Sequence, residues 1–261
     1  MAKTLKRIDA GALQFYVLYE RISQRDDDRV RQAKKKSSTE AQRCMNQIYS
    51  YQQLERMLAK NFPVPGSALV LTLPFDDAHL PHSRKEAQLR ARYFRYKLRL
   101  ARKADGLPEP VIFWAPEILT SASGRWHLHM VIDNTGRDMD LIRRCWIYGE
   151  NIEIRKLRVD SEKNHETLAR YMTKELRECQ EYDSEPGLHG WSCTRNAKRP
   201  EIDTITVPDD YSLDVPEGWV VLRNEPITTE FSSYHVLKCR VPKGAFAPPK
   251  RARRRRAKPR C

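Results

Sequence analysis

Two histidines and a later tyrosine are the residues whose types and spacing could do chemistry in this chain. His127 and His129 lie two positions apart in the apolar run RWHLHMVID (125–133). In a strand such residues project from one face, so their imidazoles could hold one divalent cation. Tyr171 and Lys174 follow in RYMTKE, and on a helix this spacing places the lysine one turn beyond the tyrosine hydroxyl. The set predicts a metal-assisted tyrosine nucleophile that attacks a phosphodiester.

A third ligand is offered by Glu117, at the end of the preceding apolar run. If the two runs form a hairpin, the carboxylate comes beside the histidines. Two imidazoles and a carboxylate suit Mn²⁺, and Mg²⁺ is usable where phosphate oxygens complete the shell. A simpler interpretation stays open, in which the histidines are partly buried structural residues, Tyr171 packs in the core and Lys174 is a solvated charge.

The elements that must position these residues can be read from apolar periodicity. Helical spacing predicts helices at 39–60, 83–103, 138–147 and 163–180. Short β-branched or alternating runs predict strands at 67–74, 111–118, 125–133 and 151–158, and 233–241 favours one more. TSASG between the second and third strands predicts a hairpin. This order predicts an α+β fold, a mainly antiparallel central sheet with helices on one face. Residues 1–37 are polar and predict partial order, and 248–261 predict disorder.

The charge of +14 favours a polyanionic partner, most simply nucleic acid. Residues 1–60 carry 13 basic against 7 acidic side chains and residues 250–261 carry 8 against none, whereas 61–249 balance at 27 each. The predicted helix at 83–103 is the exception within the middle. Candidate phosphate contacts, for which a solvated helix face is the alternative, are Arg90, Arg92, Arg95, Lys97, Arg99, Arg102 and Lys103, together with Arg253, Arg254, Arg255 and Arg256 of the tail.

Cysteine usage and hydropathy bear on the compartment. The six cysteines are scattered without zinc-like spacing, which indicates reduced thiols. No secretory signal opens the chain, and no apolar run approaches the roughly 20 residues of a membrane span. A cytoplasmic protein with no membrane partner is therefore expected. No GxxxxGK[ST] loop occurs, so a fused helicase is not expected.

Several motifs in order resemble the HUH endonucleases, and more closely the rolling-circle replication-associated proteins of bacterial viruses and plasmids, which are related to filamentous-phage origin-nicking proteins. The resemblance covers about residues 60–200. Its motifs are NF (61–62), LVLTL (69–73), a basic helix, the strand with Glu117, GRWHLH (124–129), ARYMTKE (169–175) and WSCTRNAKRP (191–200).

The resemblance implies an RRM- or ferredoxin-like HUH fold and a role for each site residue. His127 and His129 become metal ligands with Glu117 the third, for Mg²⁺ or Mn²⁺. Tyr171 becomes the nucleophile that forms a 5′-phosphotyrosine and frees a 3′-hydroxyl, with Lys174 stabilising the phenolate. Some relatives carry a second tyrosine four residues later, where this chain has Glu175, so a single-tyrosine mechanism is expected.

The implied organisation is a basic helical extension (1–60), an HUH endonuclease domain (61–206), a C-terminal extension (207–247) and a disordered Arg-rich tail (248–261). The implied function is initiation of rolling-circle replication by nicking and joining single-stranded origin DNA, in the cytoplasm of a bacterial host that supplies helicase and polymerase. Two alternatives stay open. One is a transposase or mobilisation relaxase of the same superfamily, and the other is a non-enzymatic basic protein that binds nucleic acid.

Overall fold

The fold was analysed on a computed structural model, which describes residues 2–20, 40–118, 125–159, 164–174, 190–228 and 233–242. Those ranges contain ten strands: β1 Lys3–Ala10, β2 Leu13–Glu20, β3 Ala68–Pro74, β4 Ile112–Ile118, β5 Trp126–Asp133, β6 Glu153–Lys156, β7 Ser192–Cys193, β8 Glu201–Val207, β9 Val220–Thr228 and β10 Ser233–Arg240. They also contain four α-helices: α1 Glu40–Asn61, α2 Arg84–Ala104, α3 Asp138–Cys145 and α4 Asn164–Met172. None of these helices combines the length and apolar content needed to cross a membrane.

The strands form two five-stranded sheets, in the orders β8-β1-β2-β10-β9 and β6-β3-β5-β4-β7. Every strand pair is antiparallel. The predicted α+β class with antiparallel pairing is therefore confirmed. The strands predicted at 67–74, 111–118, 125–133, 151–158 and 233–241 are present with slightly different bounds, and so are the helices predicted at 39–60, 83–103 and 138–147. The helix predicted at 163–180 ends earlier, at Met172, and residues 175–180 lie outside the described residues. The prediction of one central sheet differs from the structure, which has two.

The chain divides into two compact units. Among the described residues, the flanking unit comprises 2–20, 40–63, 159, 164–174, 190, 197–228 and 233–242, and the central unit comprises 64–118, 125–158 and 191–196. The helix α4 groups with the N-terminal residues, whereas the predicted endonuclease domain (61–206) included it. The Arg-rich tail lies outside the described residues.

The N-terminal residues form strands where partial order was predicted. β1 and β2 pair along their whole length and turn at Gly11, whose φ of 68° lies in the left-handed region that glycine adopts freely. Leu5, Ile8, Phe15 and Leu18 are buried among neighbours from other parts of the flanking unit. The prediction failed because single apolar residues alternate with charged ones here, and their partners in β8 and β10 are about 200 residues away.

The core of the central unit lies on one face of its sheet. Leu71, Leu128 and Met130 point to this face and pack against α2 and α3. The buried side of α2 consists of Ala87, Ala91, Phe94 and Leu98. This helix begins after Ser83, whose hydroxyl accepts a hydrogen bond from the Glu86 amide, while the Glu86 carboxylate accepts one from the His82 amide.

Arg102 was predicted to contact DNA, and the structure corrects this prediction. The residue is fully buried at the end of α2. Its guanidinium donates to both carboxylate oxygens of Asp133, at 3.0 and 2.9 Å, and to Asp138 at 2.8 Å. Asp138 is fully buried and Asp133 is half-buried, so their charges are balanced by a cation held inside the central unit, and Arg102 cannot reach a phosphate.

The flanking unit packs α1 against α4 and against the β1–β2 hairpin. Ala59 of α1 is buried with Ile8, Leu13 and Phe15. Pro226 lies within β9. Among the described strands β9 pairs only with β10, so it is an edge strand, where a residue without a backbone amide proton is tolerated. Neither β8 nor β9 was predicted.

Candidate functional site

The predicted hairpin exists as β4 and β5, and it brings Glu117 to the two histidines. Glu117 lies directly opposite His127 in the register, and Ala115 lies opposite His129. Because side chains alternate along a strand, all three candidate ligands share one face of the sheet. Leu128 and Met130 point the other way, into the core beneath α2. The site face is thus the face of the central sheet opposite its own helices.

His129 and Glu117 are in direct contact on this face. The Nε2 atom of His129 forms a hydrogen bond with a carboxylate oxygen of Glu117, and both residues are buried, at 3% and 5% exposed. The two residues are diagonal neighbours across the strand pair, which is within reach of side chains of this length. Thr72 of β3 lies opposite His129 on the other side of β5.

His127 carries an unpaired polar atom. Its Nδ1 is buried and makes no hydrogen bond to any residue that the structure describes. Burial lowers the pKa of His127 below its usual value, and the charge of His129 lowers it further, while the Arg125 backbone and Glu117 oppose the shift. His127 is therefore neutral at pH 7, which is the state in which an imidazole binds a metal.

The donor types fit a divalent cation. Two imidazoles and one carboxylate on one face provide the nitrogen and oxygen atoms that such an ion takes, and the buried Nδ1 of His127 is the kind of atom that a ligand would satisfy. Within the described ranges, however, no three His, Cys, Asp or Glu side chains stand together as a group that could hold an ion. Two of the three predicted ligands contact each other, and binding would exchange their hydrogen bond for the cation.

Tyr171 and Lys174 lie at the C-terminal end of α4, in the flanking unit. Tyr171 is in the last turn of the helix and is 43% exposed. Lys174 follows the end of α4, and its Nζ atom lies 4.8 Å from the centre of the Tyr171 ring. Glu117, His127 and His129 belong to the central unit. A metal-assisted tyrosine nucleophile requires the tyrosine hydroxyl to lie within several ångströms of the imidazoles, and this requirement stays a prediction.

Contacts made by three residues, none of them predicted, hold the helix that carries Tyr171: Lys238 and His165 are buried, and Arg170 is partly exposed. Lys238 of β10 donates to Glu55 of α1 and, at 2.8 Å, to Glu166 of α4. Burial raises the pKa of Glu55 above its usual value, although Lys238 opposes this shift. Arg170 donates at 2.8 Å to Tyr51 and to Glu166.

The third contact joins His165, one residue after the start of α4, to the end of α1. Its Nε2 donates to the Phe62 carbonyl at 3.0 Å. Residues that position α4 thus come from positions 51, 55, 62 and 238 of the chain. No local motif connects these positions, so a reading of neighbouring residues could not have found them.

The predicted phosphate contacts on α2 differ in exposure. Arg92, Lys97, Arg99 and Lys103 are exposed, whereas Arg90 and Arg95 are partly buried. Arg90 is hydrogen-bonded to Glu86 and lies over the Phe75 and Tyr148 rings, and Arg95 lies over Trp114. Because α2 packs on the face opposite the histidines, its side chains are not positioned to hold a phosphate bound at the site face. Arg253, Arg254, Arg255 and Arg256 lie outside the described residues.

Comparison with known proteins gives no relative. No protein-family model, no curated protein and no solved structure matches the chain. A function must therefore be inferred from the site residues themselves.

Proposed function

We propose that the protein is a metal-dependent DNA endonuclease and strand transferase of the HUH type, which initiates rolling-circle replication by nicking and rejoining single-stranded origin DNA. One observation carries the proposal. The β4–β5 hairpin gathers Glu117 and His129, in mutual contact, with a neutral His127 on one sheet face. A buried ionisable cluster of this kind, with an unpaired nitrogen beside it, is more typical of a functional site than of a core.

His127, His129 and Glu117 would hold Mg²⁺ or Mn²⁺. Such an ion, when bound, withdraws charge from the scissile phosphate. Tyr171, which is 43% exposed, would supply the nucleophile. The phenol loses its proton, its oxygen forms a bond to phosphorus, and the bond from phosphorus to the 3′ oxygen breaks, so that the 3′-hydroxyl leaves with a proton. The ammonium of Lys174, already against the tyrosine ring, stabilises the phenolate.

The reverse step needs no new group. A phosphotyrosine is a phosphodiester like the bond that it replaces, so a 3′-hydroxyl can attack it and restore the DNA strand. This reversibility suits a site with a single nucleophilic tyrosine, because one residue can both cut and rejoin the strand. Termination by a second tyrosine in the same chain is not expected, since Glu175 stands at that place.

General affinity for DNA is assigned to the basic arms and to exposed lysines and arginines. The excess positive charge lies at the two ends of the sequence, and such charge binds phosphate without reading sequence. The host's helicase and polymerase would act on the nicked strand in the bacterial cytoplasm. These partners and this location belong to the proposal.

The experiment uses the full chain, end-labelled single-stranded DNA carrying the origin of a replicating element from the same genome, and Mn²⁺. With the label at the 3′ end, denaturing electrophoresis should reveal the 3′ fragment linked to the protein through its 5′ phosphate, and EDTA should prevent this adduct. Tyr171→Phe should lose the adduct, whereas Tyr49→Phe, at another exposed tyrosine of the flanking unit, should keep it. An adduct that persists in Tyr171→Phe would refute the assignment of Tyr171 as the nucleophile. An adduct formed by a His127→Ala, His129→Ala double variant would refute the assignment of these histidines as metal ligands.

A further inference from the structure

The outer surface of α2 carries an apolar stripe that the fold does not use. Leu89, Tyr93, Tyr96 and Leu100 are 54%, 41%, 48% and 42% exposed. The opposite side of the same helix packs against the core and buries Ala87, Ala91, Phe94 and Leu98. A helix in a small unit normally has one apolar side, so a second one indicates a contact beyond the unit.

The stripe has the spacing of a helix-pairing seam. Its residues are separated by four, three and four positions, which is the heptad pattern in which apolar residues of one helix receive those of another. The stripe covers eleven residue steps, or roughly 16 Å of helix. Leucines lie at both ends and tyrosines in the middle, an arrangement that suits packing of side chains better than stacking of bases along a strand.

Exposed basic side chains lie on both sides of the stripe. In the heptad that the stripe defines, they are Lys85, Arg92 and Arg99 on one side and Lys97 on the other, while the remaining flanking residue, Arg90, is turned inward over Phe75 and Tyr148. Two of them lie against the tyrosines: Lys97 is 5.7 Å from the Tyr93 ring centre, and Arg99 is 5.7 Å from that of Tyr96. Between residues 84 and 103 only Glu86 is acidic, and it is bound to Arg90.

We propose that this surface, defined as Leu89, Tyr93, Tyr96 and Leu100 with their basic neighbours, binds an amphipathic helix of a partner protein with acidic residues beside its apolar seam. Charge complementarity selects this occupant. A second copy of the same helix would place arginines and lysines against arginines and lysines, which disfavours pairing. The proposal is independent of the nicking activity, since α2 packs on the sheet face opposite the histidines.

The test uses a fluorescein-labelled peptide of about three heptads, with leucine at both seam positions and glutamate at both flanking positions, titrated with the full chain by fluorescence anisotropy. A matched peptide replaces the flanking glutamates with lysines. The acidic peptide should bind, and the lysine peptide should bind at least roughly tenfold more weakly.

Variants then locate the contact. Leu89→Ser with Leu100→Ser should weaken binding of the acidic peptide by roughly tenfold or more, because two exposed leucines lose their partner surface. Ile202→Ser, at an equally exposed apolar residue of β8, should leave it unchanged. Arg92→Glu with Arg99→Glu should reverse the preference between the two peptides. Circular dichroism checks that each variant keeps its helices, which is expected because only exposed side chains change.

Three results would overturn the proposal. The first is equal binding of the acidic peptide by the wild type and the leucine double variant. The second is a protein that binds a labelled oligothymidine but not the acidic peptide, and loses the oligothymidine on substitution of the two leucines. This result would assign the surface to nucleic acid. The third is a dimer of the full chain in sedimentation that the same substitutions dissociate, since a second copy would then occupy the stripe.

Discussion

His165 should make the stability of the protein fall as the pH falls, and the size of the effect can be estimated from its surroundings. The side chain is fully enclosed, and burial lowers its pKa to about 4, with Lys238 and Arg240 adding to the shift and the bond to Phe62 opposing it. The ordinary value is 6.5. Above pH 6.5 the imidazole is neutral in both the folded and the unfolded chain, so the native contact has its full strength.

Below that pH the unfolded chain takes up a proton that the folded chain excludes. The free energy of unfolding therefore decreases as the pH falls from 6.5 to about 4. Because each pH unit between the two pKa values corresponds to about 1.4 kcal/mol, the full loss is about 3 kcal/mol. This is a large share of the roughly 5–15 kcal/mol that stabilises a typical domain.

The assay compares the wild type with His165→Gln, in which an amide can donate to the Phe62 carbonyl but does not titrate in this range. Urea unfolding is followed by tryptophan fluorescence at several values between pH 7.5 and 4.5. The wild type should lose between about 2 and 3 kcal/mol more than His165→Gln over this interval. His82→Gln, at an exposed histidine, should retain the pH dependence of the wild type. Identical pH dependence in the wild type and His165→Gln would refute the assignment of a neutral buried imidazole.

Two further predictions concern the packing of the central unit. Arg102→Met should lower the free energy of unfolding by about 3–5 kcal/mol, because Asp133 and the buried Asp138 then lose their cation. Lys103→Met, at the next residue, should change the free energy of unfolding little. A small effect of Arg102→Met in urea unfolding would contradict the role of Arg102 in the core. Gly149→Ala should lower the free energy of unfolding by about 1–3 kcal/mol, because its new Cβ would lie 2.5 Å from the Pro74 carbonyl oxygen. An unchanged midpoint of thermal unfolding would instead show that the end of β3 moves to make room for the methyl group.

The central unit was the part that sequence reasoning predicted well. β3, β4, β5 and α2 are continuous segments whose periodicity is strong, and β4 and β5 are neighbours along the chain, so their hairpin follows from a short connection. The contact between Glu117 and His129 is a consequence of that hairpin. These strands appear in the sequence as short, nearly continuous apolar runs because side chains are buried on both faces: Leu128 and Met130 on the α2 face, and Phe113 and Val131 on the other.

The flanking unit was largely missed for the opposite reason. Its sheet joins β1 and β2 to β8, β9 and β10, which are separated from them by more than 180 residues. The strands β8 and β9 are mostly exposed, so they need few apolar residues and leave little periodic pattern. Arg102 was misassigned because a basic residue on a basic helix looks solvated until its two carboxylate partners, 31 and 36 positions away, are known.

The sequence by itself determined the local chemistry: two imidazoles on one strand, a carboxylate on the next, and a tyrosine with a lysine one turn away. Spacing suffices for this because strands and helices repeat with known periods. Only the tertiary structure decided that His127 is neutral with an unpaired nitrogen, that Arg102 is buried, and that Glu55, His165 and Lys238 hold the helix of Tyr171. These properties depend on burial and on partners distant in the chain, and neither can be read from neighbouring residues.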